Sequence, residues 1–285
     1  MSVLVIGRTG QLAREIARRT PDARMLGRND VDLARPSEAA EALRSQLEGA
    51  TAVINAAAYT AVDRAEQEEA RATIVNGDAP AALARVCAAA DVPFVHVSTD
   101  YVFDGTGDTA RAPDEPVAPL GAYGRSKLVG EEGVRAASGT HAILRTSWLF
   151  SAHGGNFVET MLRLSETRDV LTIVADQIGG PTPAAGLADG CLAAARALAT
   201  DPGHTGTYHW AGAPDVSWAD FAREIFAQAG RSVQVTDIPT ADYPTPAQRP
   251  LNSRLDCRSA EAAFGLSRPD WRAGLADVLK ELLGT

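Results

Sequence analysis

The stretch 3–13, VLVIGRTGQLA, decides the fold of this 285-residue chain. Its four leading apolar residues predict a short buried strand, and residues 11–19 are predicted to form the helix that follows. Between them, Gly7 permits a tight turn, and Gly10 allows a phosphate group to approach the backbone where the helix begins. Ala13 replaces a third glycine and still lets the helix pack closely on the strand. This G-x-x-G-x-x-A pattern indicates a turn that binds a dinucleotide, with an ordinary strand–helix turn as the alternative.

Short apolar runs alternate with helical segments through the first half of the chain. This alternation predicts an α/β fold with a Rossmann-like, doubly wound parallel sheet that is covered by helices on both faces. Right-handed crossovers place ligands at the carboxyl ends of such strands. The predicted strands are 3–6, 23–26, 52–55, 93–97 and 142–145, and the predicted helices are 11–19, 38–47, 78–90 and 123–137.

The regular alternation weakens after about residue 150. We predict helices at 156–166, 184–199, 218–229 and 272–283, a strand at 207–211, and irregular backbone at 239–250, where four prolines stand. Residues 1–150, with about 181–215, are therefore predicted to form an NAD(P)-binding Rossmann domain. Residues of about 151–180 and 216–285 are predicted to form a smaller, mixed α/β C-terminal lobe that binds the substrate.

The composition excludes several classes of partner. The chain has 27 basic and 36 acidic residues, a formal net charge of −9, which argues against nonspecific binding of nucleic acid. Cys87, Cys191 and Cys257 are too far apart for a disulfide framework or a zinc site. The apolar run at the N-terminus is too short for a signal peptide or a membrane span. We therefore expect a cytoplasmic protein that binds neither nucleic acid nor membranes.

A tyrosine and a lysine stand four residues apart at Tyr123 and Lys127. Lysine is rare in this chain, and Lys280 is the only other one. Arginine cannot replace a lysine that serves as a compact point charge. Residues i and i+4 share one face of a helix, so the phenol and the ammonium can address the same space. The pair predicts a phenol that exchanges a proton with a substrate.

Two strand ends indicate which cofactor binds. Sites that prefer NAD usually carry an acid at the end of the second strand, a position that lies near Gly27 and Arg28 here and is not occupied by an acid. Arg28 could meet a 2′-phosphate, which favours NADPH while NADH stays possible; the alternative is a solvated surface arginine. The small side chains at 55–60 would leave room for a nucleotide.

Another candidate residue, Thr99, stands two residues after the apolar run 93–97. Polar residues at the end of a buried strand often point into a site, where a hydroxyl can hydrogen-bond a substrate carbonyl. The alternative is a hydroxyl that only caps a turn.

Thr99, Tyr123 and Lys127, in this order after a glycine-rich turn, resemble the extended short-chain dehydrogenase/reductase superfamily. Longer blocks resemble one family within it, the dTDP-4-dehydrorhamnose reductases. Related 4,6-dehydratases carry Thr-Asp-Glu, but here Thr99 and Asp100 are followed by Tyr101, so the base for dehydration is missing. The similar blocks are GQL (10–12), NAAAYTAVD (55–63), STDYVFDG (98–105), YGRSKLVG (123–130), RTSW (145–148), DQIGGPT (176–182) and YPTPAQRPLNSRL (243–255).

The resemblance implies NAD(P)H-dependent reduction of the C4 keto group of dTDP-4-dehydro-L-rhamnose, the last step of dTDP-L-rhamnose synthesis. It implies that Thr99, Tyr123 and Lys127 are catalytic, that Lys127 lowers the pKa of Tyr123 and contacts the nicotinamide ribose, and that Tyr123 supplies the proton. With the turn and strand-end arguments, the predicted cofactor contacts are Gly7, Thr9, Gly10, Gln11, Leu12, Arg28, Asp32, Leu33, Ala58, Tyr59, Thr60, Tyr123 and Lys127.

The predicted contacts to the dTDP-sugar substrate are Thr99, Asp100, Trp148 and Arg249. Asp100 and Trp148 follow from the resemblance, although a lone tryptophan is more often a core residue. Arg249 is a candidate for the diphosphate because a guanidinium offers two parallel donors to phosphate. Its alternative is a surface arginine braced by prolines.

The sequence leaves alternatives open for the oligomeric state and for the function. Some family members dimerise through Mg²⁺ held by glutamates; Glu15 is present, but segment 181–185 offers alanine where those members place a glutamate. We therefore predict no structural metal, and either a monomer or a homodimer. The functional alternatives are a reductase or epimerase of another nucleotide-linked keto-sugar, and a non-catalytic subunit similar to the β subunit of methionine adenosyltransferase.

Overall fold

The computed structural model describes residues 2–284. Its strands are β1 (Val3–Ile6), β2 (Arg24–Leu26), β3 (Ala52–Asn55), β4 (Phe94–Thr99), β5 (His141–Thr146), β6 (Leu149–Phe150), β7 (Val170–Val174), β8 (Ile178–Gly179), β9 (Thr182–Pro183), β10 (Gly206–His209), β11 (Val216–Ser217), β12 (Gln234–Ile238) and β13 (Asn252–Ser253). Its helices are α1 (Gln11–Arg19), α2 (Pro36–Arg44), α3 (Val62–Ala65), α4 (Glu69–Thr73), α5 (Ala79–Ala89), α6 (Ala122–Ala136), α7 (Phe157–Ser165), α8 (Ala184–Thr200), α9 (Trp218–Gln228), α10 (Arg258–Phe264) and α11 (Trp271–Leu283).

A six-stranded sheet in the order β2-β1-β3-β4-β5-β10 forms the centre of the molecule, and every neighbouring pair is parallel. The chain leaves β1 on one side to form β2 and then crosses to β3 on the other side. The strand order therefore reverses between β1 and β3, where open parallel sheets bind their ligands. The predicted Rossmann-like, doubly wound fold is confirmed.

The first strand shows why the sheet is covered on both faces. Val3 and Val5 face one apolar layer, and Leu4 and Ile6 face the other, because successive side chains of a strand point in opposite directions. All four are at most 1% exposed. Helices α1 and α8 cover the first layer, and α2, α5 and α6 cover the second.

A long helical run lies before β4. Helix α4 continues through a π-helical turn, Ile74–Asp78, into α5. The sequence predicted only the part from residue 78. A π turn adds a residue to the helix and is frequent near functional sites. Here it places Asn76 against α6, where the Asn76 carbonyl lies so close to Gly130 that no Cβ would fit there.

The C-terminal part holds a separate apolar cluster built by α7, α9, α11 and the parallel pair β7–β12. A small sheet in the order β11-β8-β13 and the pair β6–β9 connect it to the first part. Helix α10 packs on the first part instead, since Ala260 lies in the layer beside α8. The division into two domains therefore remains a prediction. Within residues 2–284, no helix is long and apolar enough to cross a membrane.

Candidate active site

The glycine-rich turn lies at the carboxyl end of β1, beside the point where the strand order reverses. Gly7 has a φ of +119°, which side-chain-bearing residues rarely adopt, and so the predicted tight turn is present. Gly10 has an ordinary φ of −69° at the start of α1, and a Cβ there would meet nothing within 4 Å. The chain itself therefore does not require glycine at position 10, and the open space fits an approaching pyrophosphate.

The other predicted residues of this turn lie around it. Thr9 is exposed, and its carbonyl accepts a hydrogen bond from the Arg14 side chain at 3.2 Å. Gln11 accepts a hydrogen bond from the Ser151 hydroxyl at 2.9 Å. The Leu12 side chain packs in the core, so only its backbone can face a cofactor.

The end of β2 carries an acid that the sequence analysis did not place there. The Asp30 carboxylate accepts a hydrogen bond from the Gly27 backbone N–H at 2.8 Å and lies 3.3 Å from Arg8. The prediction that no acid stands at this strand end is therefore wrong, because a turn folds Asp30 back over Gly27. Arg28 is exposed on the same turn. Two arginines and one carboxylate thus share the corner where a 2′-substituent of the adenosine ribose would be read.

Two predicted cofactor residues follow this turn. Asp32 is half-buried, and its carboxylate accepts a hydrogen bond from the Ala34 N–H at 3.1 Å. Leu33 is buried in the apolar layer with α2. Leu33 therefore anchors the loop, and Asp32 remains at its surface.

The segment after β3 is held by a residue that the sequence analysis missed. Asn76, in the π turn, accepts a hydrogen bond from the Tyr59 N–H at 2.8 Å and donates one to the Tyr59 carbonyl at 2.9 Å. The same amide donates to Ser126 of α6 at 3.0 Å. The flanking residues Ala58 and Thr60 are exposed. A polar amide in the middle of an apolar helical run was the signal that could have indicated Asn76.

Thr99 and Tyr123 come together at the carboxyl end of β4. The Thr99 hydroxyl donates to Asp100 at 3.0 Å and accepts from the Tyr101 N–H at 3.2 Å, so it also caps the following turn. Thr99 contributes a hydrogen bond that opposes the rise in the pKa of Tyr123. Tyr101 packs edge-to-face on Tyr123, with ring centroids 5.6 Å apart.

The electrostatics of Tyr123 differ from the expectation. Burial, followed by the Asp100 carboxylate, raises the pKa of Tyr123 well above its ordinary value. The net lowering expected from Lys127 is absent because burial dominates the pKa of Tyr123; the Lys127 ammonium donates to the Val97 carbonyl at 2.7 Å and lies 3.4 Å from the His96 ring. The phenol is therefore protonated at neutral pH in this state.

Lys127 is almost fully buried, at 2% exposure. Burial lowers the pKa of Lys127 to about 8, and the Glu131 carboxylate opposes that shift. Burial and the nearby Lys127 also lower the pKa of His96 well below its ordinary value, so the imidazole is neutral. Lys127 thus has the Val97 carbonyl as a strong acceptor and the His96 ring as a weak one. The Glu131 carboxylate, one helical turn later, helps to keep its ammonium charged.

Glu131 forms a buried ion pair with Arg145. The two side chains are 0% and 3% exposed and share two hydrogen bonds, of 2.8 and 2.7 Å. Although burial acts to raise the pKa of Glu131, the hydrogen bond and charge of Arg145 leave it lowered. The pair fastens the helix that carries Tyr123 and Lys127 to strand β5.

Two predicted substrate residues carry buried polar atoms without a partner among residues 2–284. Asp100 is 3% exposed, burial raises its pKa to about 6, and its Oδ2 makes no hydrogen bond. Arg249 binds Asp63 at 2.7 Å through Nη2, while its buried Nη1 is unpaired. Its charge also opposes the rise in the pKa of Tyr101, and so Arg249 lies near the candidate catalytic residues. It is therefore no solvated surface arginine.

Trp148, the third of these predicted substrate residues, is half-buried and stacks on Trp218 with ring centroids 3.6 Å apart. Trp218 was not among the predicted site residues. Trp148 also has a φ of +47°, an unusual value for a residue with a large side chain. Its half-buried ring is thus held against Trp218, outside the apolar core clusters.

The Glu15 carboxylate, considered above for a metal, is paired with Arg18 at 3.4 Å and Arg19 at 2.7 Å. Residues 2–284 contain no group of three or more His, Cys, Asp or Glu side chains that could hold a metal ion. The absence of a structural metal remains a prediction.

A Tyr-x-x-x-Lys helix beside the end of β4, facing a glycine-rich first turn in this strand order, is the arrangement of the extended short-chain dehydrogenases/reductases. Comparison with known proteins narrows the class. The model of the family described as "RmlD substrate binding domain" matches residues 1–283, and the chain belongs to this family.

Similar proteins cover essentially the whole chain. The dTDP-4-dehydrorhamnose reductase of Sinorhizobium fredii is 41% identical over 99% of this chain and 98% of its own length. The crystal structure of a dTDP-4-dehydrorhamnose reductase from Clostridium acetobutylicum is 34% identical, covers 100% of both chains and has a TM-score of 0.91. That of the Bacillus anthracis enzyme in complex with NADP is 31% identical, covers 99% of this chain and 100% of its own, and has a TM-score of 0.89.

One relative carries a different name. A probable dTDP-4,6-dihydroxy-2-methyloxan-3-one 4-ketoreductase of Streptomyces antibioticus is 38% identical over 99% of this chain and 96% of its own length. The resemblance to dTDP-4-dehydrorhamnose reductases is confirmed at the level of the family.

Proposed function

We propose that the protein reduces the C4 keto group of dTDP-4-dehydro-L-rhamnose to give dTDP-L-rhamnose, with NADPH as the preferred cofactor and NADH possible. The observation that carries this proposal is the meeting of Thr99, Tyr123 and Lys127 at the sheet edge that also bears the glycine-rich turn. The full-length similarity to dTDP-4-dehydrorhamnose reductases supports the same reaction.

The residues of this edge fit a nicotinamide dinucleotide. The open space at Gly10 would accept the pyrophosphate, the exposed Ala58 and Thr60 would border the nucleotide, and Lys127 would hold the nicotinamide ribose. Arg8 and Arg28 would bind a 2′-phosphate, whereas Asp30 beside Arg8 would accept a hydrogen bond from a free 2′-hydroxyl, and so NADH stays possible. When bound, the cofactor supplies the hydride.

Tyr123 supplies the proton in this proposal. A phenol whose pKa is raised keeps its proton at neutral pH, as a donor to a developing alkoxide must. Thr99 adds a hydroxyl that can hydrogen-bond the carbonyl oxygen and hold it near the phenol. Lys127, as an ammonium, stabilises negative charge next to Tyr123 once the proton has left.

The substrate is oriented by three groups. The unpaired Nη1 of Arg249 is a free donor for the diphosphate, and the unpaired Oδ2 of Asp100 is a free acceptor for a sugar hydroxyl. Trp148 offers an aromatic face to the apolar side of the sugar. We further propose a cytoplasmic location, because all three cysteines are buried free thiols.

A second candidate is reduction of another dTDP-linked keto-sugar. The full-length similarity to the probable 4-ketoreductase of Streptomyces antibioticus favours it specifically. One added or missing substituent changes substrate discrimination by only about 1–3 kcal/mol in an apolar pocket, and thus few residue changes separate the two. The full-length similarity to dTDP-4-dehydrorhamnose reductases supports a catalytic role over a non-catalytic one.

The test is NADPH oxidation in the presence of dTDP-4-dehydro-L-rhamnose made in situ, compared between the wild type and Tyr123→Phe. We expect turnover by the wild type and its loss in Tyr123→Phe, with NADPH binding retained. Tyr101→Phe is the matched control, because it removes a neighbouring phenol that is not the proton donor. An absence of turnover despite tight NADPH binding would contradict the proposal and favour another keto-sugar.

A further inference from the structure

Trp148 has a backbone conformation that needs support from its surroundings. Its φ of +47° lies in the left-handed region, where large side chains are disfavoured. Trp148 follows β5 by two residues, and the last residue of β5, Thr146, is the register partner of Thr99. The strained residue therefore lies two residues beyond the strand partner of the candidate catalytic threonine, and observed strain is a reason to look for a function.

The support comes from Trp218, the first residue of α9. The two indole rings are stacked, with centroids 3.6 Å apart and planes inclined by 12°. Trp218 also contacts Phe157 at 4.6 Å and packs against the apolar cluster of the C-terminal part. The C-terminal apolar cluster therefore fixes the Trp218 ring, and the Trp148 ring stacks on Trp218.

The Trp148 ring also lies close to Gly179 of β8. A Cβ at Gly179 would lie 3.0 Å from the Trp148 ring, so only glycine allows this approach without displacement. Gly179 pairs with Ser253 between β8 and β13, and Ser253 in turn helps to lower the pKa of Asp100 against the effect of burial. The stacked pair is thus connected through two neighbours to a buried carboxylate of the site.

We propose that Trp218 is a positioning residue for the sugar nucleotide, because it holds the Trp148 indole in the orientation that packs on the sugar. Affinity for the sugar nucleotide then depends on α9, although no atom of α9 needs to touch the reacting groups. This inference rests on the proposed function, since it assumes that Trp148 binds a dTDP-sugar.

The first test is steady-state kinetics of Trp218→Leu and Trp218→Phe. If Trp148 is released when Trp218 is removed, re-ordering its indole on the sugar costs at most the energy of the lost aromatic pair, about three- to tenfold in affinity. We expect the KM for the dTDP-sugar to rise by about that factor in Trp218→Leu and by less in Trp218→Phe, which keeps a ring. The KM for NADPH and kcat should stay at wild-type values. Trp210→Phe is the control, because the Trp210 indole is buried among core residues and donates to the Gly186 carbonyl at 2.8 Å.

The second test does not need turnover. Equilibrium binding of dTDP-L-rhamnose should weaken in Trp218→Leu, whereas NADPH binding should not. Near-ultraviolet circular dichroism of Trp148→Phe, Trp218→Phe and the double variant should give non-additive difference spectra, because stacked indoles share one coupled signal.

The outcomes separate this inference from the proposed function. Wild-type protein that neither binds nor turns over the dTDP-sugar overturns the proposed function. Unchanged affinity for dTDP-L-rhamnose in Trp218→Leu, or strictly additive spectra, overturns the positioning role alone. Equal weakening of the dTDP-sugar and of NADPH also overturns it, because that result indicates general damage to the fold.

Discussion

Breaking the buried Glu131–Arg145 pair should destabilise the protein far more than breaking an exposed pair. Glu131→Met leaves the Arg145 guanidinium, only 3% exposed, with the Pro113 carbonyl at 3.0 Å and the neutral His209 ring at 3.4 Å as polar neighbours. Removing one partner of such a pair costs about 3–5 kcal/mol of unfolding free energy, since an uncompensated charge stays buried. For a chain of this length, that loss corresponds to roughly 5–8 °C in Tm.

The measurement is thermal and denaturant unfolding of Glu131→Met, Arg145→Met and the double variant. The double variant should lose much less than the sum of the two single losses, because it leaves neither charge unpaired. Glu41→Met is the matched control: Glu41 pairs with Arg44 at 2.6 Å, but both side chains are mostly exposed, so the expected loss is below about 1 kcal/mol. If Glu131→Met loses no more than this control, water reaches the pair and the reasoning is refuted.

Three further outcomes are expected. Gly10→Ala should leave the unfolding free energy within about 0.5 kcal/mol of the wild type but weaken NADPH binding, measured by calorimetry, by about 1–3 kcal/mol, because its Cβ would fill the open space. The control is Gly155→Ala, at an equally open position, which should change neither quantity. Undiminished NADPH affinity in Gly10→Ala would count against a pyrophosphate site here. Trp148→Gly should be about 1 kcal/mol more stable to denaturant than Trp148→Ala, because only glycine tolerates a φ of +47°; equal stability would mean that the strain is absent. The value of kcat/KM should fall as the pH rises through about 8, because burial lowers the pKa of Lys127 to about 8 and the ammonium loses its charge there. The residual activity of Lys127→Arg should not fall in this range, because arginine keeps its charge. A matching decline in both proteins would assign the titration to another group.

The fold could be predicted because its signals are local. A buried strand, a glycine-rich turn and a helix follow one another within residues 3–19, and strand–helix alternation then leaves few topologies. The helix predicted at 38–47 is observed at Pro36–Arg44, a shift of no more than three residues at either end. Strands β7 and β12 were missed because each is short and half-exposed, and each gains regular hydrogen bonds only from its distant partner.

The site could be predicted only in part, because contacts between distant residues have no local pattern. Asp30 reaches the end of β2 through a turn, and Asn76 reaches Tyr59 across 17 residues. The prediction that the pKa of Tyr123 is lowered was wrong for a similar reason. Helical spacing places the two residues on one face, but it does not show that the Lys127 ammonium also donates to the Val97 carbonyl of β4. Burial, which depends on the whole fold, then sets the pKa of both groups.

The late position of β10 in the chain has a consequence for biosynthesis. The sheet begins with β1 at Val3–Ile6, yet its last strand is Gly206–His209, and helix α8, which covers one face, ends only at Thr200. While the ribosome has released only the first 150 residues, Val3 and Val5 have α1 beside them but still lack α8, the second helix of their apolar layer. The cofactor-binding half therefore cannot complete its sheet before about three quarters of the polypeptide has emerged, and its apolar strands stay partly uncovered until then.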